Sequence, residues 1–221
     1  MDLAIFDNPY FLFRWIHVLA GITWIGLLYY FNFVQGSYFL EADGSAKSDA
    51  IQKLVPRALW WFRWGAMLTF LTGLIMLGMG KWTGIGIIAG ATLGTIMFLN
   101  VWLIIWPAQK IVIASATGVA GGEDPLPEAG PALARAGLAS RTNTLFSFPM
   151  AFFMLGNMHL GGMATPVGSA SRISLIAVFG LILLLALNGL KGKTGPMTSV
   201  KGVVHMGIAL TAVLYLFIEL L

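Results

Sequence analysis

Ile173-Ser-Leu-Ile-Ala-Val-Phe-Gly-Leu-Ile-Leu-Leu-Leu-Ala-Leu-Asn-Gly-Leu190 runs for eighteen residues without a charge, and its only polar side chains are those of Ser174 and Asn188. A transmembrane helix needs about 20 mainly apolar residues, so this stretch reads as a membrane span. Working outward from it, five more runs of similar character appear at about 10–34, 59–78, 82–106, 145–163 and 203–221. The first and fourth are the most polar of the six. The expected fold is all-α: a polytopic bundle of about six transmembrane helices, with residues 1–221 forming one integral membrane domain and no soluble domain. The N-terminal segment is short and acidic (Asp2, Asp7) and lacks the basic start of a signal peptide, so the first helix is expected to be retained. A polar loop is expected at 41–51. The longer connection at 107–144 reads as a turn at Gly121-Gly-Glu-Asp-Pro125 followed by a short interfacial helix at 127–139.

Composition supports the membrane reading. Apolar residues make up 58% of the chain and charged residues 10%, against roughly 25% charged in a soluble domain. There is no cysteine. That excludes a disulfide framework, a thiolate zinc site, a cysteine-ligated iron–sulfur cluster and a covalently attached c-type haem. The net charge of +4 is spread over loops between apolar runs, a pattern of membrane topology and not of nucleic-acid binding. Nine of the thirteen basic residues, Lys47, Arg57, Lys110 and Lys191 among them, fall after the first, third and fifth spans, and only Lys81 and Arg172 fall on the opposite side. The positive-inside rule then puts the nine in the cytoplasm and both termini in the periplasm of a bacterial inner membrane.

Ionisable groups inside spans are costly and mark function. Here they are Arg14, His17, Arg63, His159, His205 and Glu219. Neutral imidazole is a usual axial ligand of b-type haem, and histidines on facing helices can clamp the iron. His17 and His159 share the outer leaflet in the expected topology, so they form the expected pair. His205 lies near the inner end of the last span and is an alternative ligand. Trp24 falls seven residues after His17, on the same helix face. Gly21 and Gly156 supply room beside the two histidines. Arg14 and Arg63 suit carboxylates such as haem propionates. The plainer alternatives are that the histidines hydrogen-bond neighbouring helices, the arginines snorkel to the interfaces and the glycines serve ordinary helix crossings. Thr142 or Asn143 reads as an N-cap of the fourth helix, with Pro149 as a kink. The tryptophans at 60, 61, 64, 102 and 106 read as interface anchors. No phosphate-binding glycine loop, Ser–His–Asp order or carboxylate pair within one span is present, so hydrolase and ATPase readings are poor and no catalytic residue is assigned.

Several blocks together resemble the membrane domain of the bacterial cytochrome-c-linked urate oxidase (urate hydroxylase) family. They are His17-Val-Leu-Ala-Gly-Ile-Thr-Trp-Ile-Gly26 with Tyr29-Tyr-Phe-Asn-Phe-Val-Gln35, Pro56-Arg-Ala-Leu-Trp-Trp-Phe-Arg-Trp-Gly65, Asn100-Val-Trp with Trp106-Pro-Ala-Gln-Lys110, and Ser140-Arg-Thr-Asn-Thr144 running on to Asn157-Met-His159. The resemblance implies a multi-helix membrane domain joined to a C-terminal c-type cytochrome that takes electrons from urate oxidation. With no cysteine, this chain is expected to lack that cytochrome domain and to hand electrons to a separate periplasmic cytochrome c or respiratory partner. A more distant similarity, a first-helix histidine followed by tryptophan and glycine (His17, Trp24), is to the HemJ-type protoporphyrinogen oxidase. It implies haem b held by a histidine and a lysine, for which Lys81 is the counterpart on the outer side. The resulting expectation is an inner-membrane redox protein with haem b at His17 and His159, and with Arg14 and Trp24 beside it. The alternative is a non-catalytic subunit packed against a larger respiratory or photosynthetic complex. A colourless protein with replaceable histidines would mark the second.

Overall fold

The computed structural model describes residues 8–80 and 83–221. Lys81, the acidic Asp2 and Asp7, and the expected start of the third span at Trp82 lie outside the described residues. Six long helices follow one another: α1 (Pro9–Glu41), α2 (Gly44–Gly78), α3 (Ile85–Ala120), α4 (Ala129–Gly156), α5 (Arg172–Lys191) and α6 (Val200–Leu220). Five of them, all but α4, are long and apolar enough to cross a membrane. The all-α, multi-pass character therefore stands.

α4 differs because of where it sits. It packs against α1, α3, α5 and α6, so its sides face protein, and it buries Thr142, Asn143, Thr144 and Ser147. A helix surrounded by helices needs polar partners there more than it needs hydropathy. The outer faces of the other helices are the reverse, with Ile22, Leu103, Ile176 and Leu184 largely exposed. Lipid tails are as apolar as leucine, so this inverted pattern suits a bilayer.

Three helices run past the apolar stretches that announce them. α2 begins at Gly44, so the polar segment expected at 41–51 is mostly helical and the break is confined to Ala42 and Asp43. α3 continues through Pro107 to Ala120, because the proline sits at the first positions of a new α-helical stretch, where its missing N–H costs nothing. The interfacial helix expected at 127–139 is the first part of α4. Thr142 and Asn143 are accordingly mid-helix and buried, which corrects their reading as N-caps.

α1 and α3 each contain a π-helical segment, Tyr30–Gln35 and Asn100–Ile105. A widened turn inserts an extra residue and disturbs the backbone ladder. The carbonyls just ahead of the two segments accept from asparagine amides. Asn32 Nδ2 donates to Leu28 O at 2.9 Å and Asn143 Nδ2 to Met97 O at 2.9 Å. The same asparagines tie the helices together: Asn32 Nδ2 also donates to Ser140 Oγ at 2.8 Å, and Asn100 Nδ2 donates to Asn143 Oδ1 at 2.8 Å.

Glycines set the close crossings. A Cβ at Gly65 would lie 3.2 Å from Trp24 N, so α1 and α2 meet backbone to backbone. One at Gly90 would lie 3.4 Å from Met150 O and from Met154 Cγ. The glycines early in α3 thus receive α4 of the same chain.

Candidate functional site

Between α1, α2, α3 and α4 lies a cavity of about 200 Å³. α1 lines it with Arg14, His17 and Trp24, α2 with Thr69 and Gly73, α3 with Ala91, Gly94 and Thr95, α4 with Met150 and Met154, and the turn after α4 with Met158. Small residues on α2 and α3 leave the space. Val18, Leu74 and Leu155 stand at its edge and are about half exposed or more, at 51%, 48% and 70%. Its margin is therefore apolar.

His17 is the polar centre. Its Nδ1 lies 2.9 Å from Thr69 O and 3.1 Å from Thr72 Oγ1. A carbonyl only accepts, so Nδ1 carries the proton and donates. The Thr72 hydroxyl donates its own proton to Leu68 O at 2.7 Å, so its oxygen is free to accept from His17 as well. This fixes the tautomer: Nε2 has the lone pair. The ring also lies against α2 at Gly73, where a Cβ would come within 3.2 Å of its Cε1. The small residue that seats the ring is thus Gly73, one helix away, whereas a Cβ at Gly21 would meet only Thr69 Cγ2, at 4.0 Å. A histidine whose second nitrogen donates to a backbone carbonyl is oriented as metal-ligating histidines are.

The other expected site residues divide. Trp24 is 2% exposed, lines the cavity, and its Nε1 has no hydrogen-bond partner among the described residues. Arg14 stands exposed at the margin, with Nη2 3.9 Å from Met158 Sδ. His159 is exposed in the turn after α4, where its backbone N–H donates to Gly156 O at 2.9 Å, and it is absent from the cavity lining. His205 is exposed on α6. Of the three histidines only His17 lines this space. Among the described residues no cluster of three or more histidines and carboxylates is present.

The inner half holds a second polar region. The Arg63 guanidinium lies 3.9 Å from the Trp106 ring centre and 5.9 Å from that of Trp102, so it stacks within the bundle instead of only snorkelling. Trp102 and Trp106 are in this respect packing partners, while Trp60, Trp61 and Trp64 are exposed as interface anchors are. Met150, Met154 and Met158 were not expected as part of a site, because methionines there read as packing. The i, i+4 spacing of Met150 and Met154 on a helix that also carries buried polar residues was the available signal.

The family model described as "Urate oxidase N-terminal" matches residues 83–215, more than half of the chain. No curated protein and no solved structure matches it.

Proposed function

The chain belongs to the urate oxidase N-terminal family, and on that premise we propose a membrane redox protein that binds haem b in the His17 cavity and passes electrons to a periplasmic cytochrome c or respiratory partner. The observation that carries this is His17 itself. It sits inside the bundle, with one nitrogen committed to Thr69 O and the other left with a free lone pair.

The donor set suits haem iron, whereas the space as it stands, about 200 Å³, is smaller than the whole macrocycle needs. A neutral imidazole locked by a backbone carbonyl is a ready axial ligand. The wall across from it includes methionine, glycine and alanine. Bound there, haem b would supply one-electron transfer. His17 would hold the iron, Thr69 and Thr72 would fix the ring plane and raise the basicity of Nε2, and Gly73 would let the imidazole lie close to α2. Trp24 would close the deep end and exclude water. Arg14, at the margin, is placed for a propionate. The fit concerns His17, Arg14 and Trp24; His159 stands outside the cavity.

The same reading takes α4 as a sixth span and both termini as periplasmic. The basic residues in the first turns of α2, in the first half of α4, in the last part of α3 and around the α5–α6 connection would then mark the cytoplasmic side of a bacterial inner membrane. Urate, the substrate in the family's description, remains a proposal for the reaction, and no residue is assigned as its base.

The test is a reduced-minus-oxidised visible spectrum of the full chain in detergent, with a pyridine haemochrome assay after expression with ample haem. A b-type spectrum lost in His17→Ala is the expected result. A colourless wild-type protein would overturn the haem reading and put the accessory-subunit reading first.

A further inference from the structure

We propose that the seam between α2 and α3 in the inner half binds the phosphate of an anionic phospholipid, held by Arg63 and Lys110 around the Trp106 ring. The inference is independent of the haem reading, because it uses neither His17 nor its cavity.

Three observations carry it. The first is charge without a counter-charge. The Arg63 guanidinium lies 3.9 Å from the Trp106 ring centre, and the Lys110 ammonium lies 5.7 Å from the same centre. An indole face attracts a cation but does not neutralise it. Among the described residues nothing accepts a hydrogen bond from the Arg63 guanidinium, and its Nε is buried without a partner. No carboxylate among them pairs with Arg63 or Lys110 either. Asp49, the acid that precedes them on α2, is taken by Lys53. Basic groups within a membrane bundle are ordinarily paired, so the missing partner is an anion from outside the chain.

The second is depth. From Ile85, its first residue, to Trp106, α3 runs roughly 30 Å at about 1.5 Å per residue. The hydrocarbon core of a bilayer is also roughly 30 Å thick. A bundle with one boundary near Ile85 therefore brings Trp106, and Arg63 stacked on it, to the level of the phosphates at the other boundary. Trp60, Trp61 and Trp64 stand exposed on the neighbouring turns of α2, as indoles at a headgroup boundary do.

The third is access. α2 and α3 are antiparallel neighbours, with Phe70 stacked on Phe98 at 4.1 Å and Arg63 on Trp106. Trp64 is 44% exposed and lies edge-on to Trp102 at 5.5 Å, so the seam opens on lipid beside the two cations. Lys110 is exposed and Arg63 half-buried. Arg63 offers a planar fork for two phosphate oxygens and Lys110 a movable point charge, a combination suited to phosphate. The acyl chains of the same lipid would then run toward the bilayer centre over exposed apolar side chains such as Leu68 and Leu103.

The experiment presents the full chain in detergent with phosphatidylglycerol or phosphatidylcholine at equal concentration and counts the lipids retained by native mass spectrometry. Wild type is expected to keep phosphatidylglycerol in preference. Lys110→Gln should weaken that retention roughly fivefold, the effect of one basic residue near an anionic surface, and Arg63→Gln should weaken it further. Lys110 is exposed, so its variant reads binding even where Arg63→Gln perturbs the fold. Lys191→Gln, at the exposed end of α5, should leave the retention unchanged. Equal retention of the two lipids by wild type, or an equal loss in Lys191→Gln, would overturn the site. Inorganic phosphate, at ionic strength matched with chloride, should not displace the lipid. Displacement would overturn the lipid as the source of the phosphate.

Discussion

Two buried polar groups of the bundle handle their hydrogen bonds in opposite ways: the asparagine set in the half toward the α1–α2 connection (the inner half) and the His17 cavity in the other (the outer half). Gln35 Oε1, Arg63 Nε, Trp102 Nε1 and Arg141 Nη1 of the inner half also lack partners among the described residues. In the inner half, amide meets amide and carbonyl: Asn32, Asn100 and Asn143 form a set in which each side chain has a partner inside the protein. In the outer half, His17 uses one ring nitrogen and leaves the other free, and the N–H of Trp24, which lines the same cavity, has no partner among the described residues. Polar groups that complete one another hold helices in register, whereas polar groups left half-used in an apolar space are positioned for something that is not part of the chain. The family match covers both halves of α4 and so does not separate the two roles; the hydrogen bonds do.

This contrast can be broken by substitution. The largest effect on stability is expected from Asn143→Leu, which strands the Asn100 amide and the Met97 carbonyl together. Leaving buried groups unpaired costs roughly 2–3 kcal/mol, read as a lowered unfolding midpoint in detergent. An unchanged midpoint would mean that the inner set is not structural. Next comes Arg63→Gln, which removes the guanidinium from the Trp106 face and should cost about 1 kcal/mol. The accompanying change in tryptophan fluorescence would report the lost stacking. The smallest effect is expected from His17→Ala. Its Thr69 carbonyl belongs to the α2 ladder already, so the loss is about 0.6 kcal/mol, the average for a hydrogen bond between membrane helices. That variant should therefore fold nearly as well as the wild type and yet bind no haem. A large loss of stability in His17→Ala would make His17 a structural tie like Asn143 and erase the difference between the halves.

Much of this was readable in the residues. Six helices are visible as six apolar runs, and His17 is singled out because an ionisable group is rare in such a run. What the sequence hid follows from packing. The ends of α2, α3 and α4 extend beyond the apolar runs, since residues such as Lys47, Lys53 and Lys110 are helical without being lipid-facing. Pro56 and Pro149 lie within helices and do not end them. Hydropathy ranks α4 low because its neighbours are protein, so the most central helix gives the weakest signal. The histidine pairing was unreadable for a similar reason. His17 and His159 share a leaflet by residue count, but α4 ends at Gly156 and turns, which carries His159 away from the face that Met150 and Met154 present. The glycines at 84, 86, 90 and 94 are spaced for a close contact, and that contact is with α4 and the turns after it.

The two π-helical segments have one more consequence. Successive residues of an α-helix step by about 100° around its axis, so a single extra residue turns everything downstream by that angle without lengthening the helix much. In α1 and α3 the segment falls between the cavity-lining stretch and the C-terminal end of the helix. Each of these helices is thus indexed twice, once for the face that meets the cavity and once for the face that meets the inner part of the bundle. Deleting one residue within Tyr30–Gln35 would leave His17 and Trp24 in phase with α2 while swinging the last turns of α1 toward a different neighbour. The outer half could in this way change its occupant over time while the inner half keeps its own alignment.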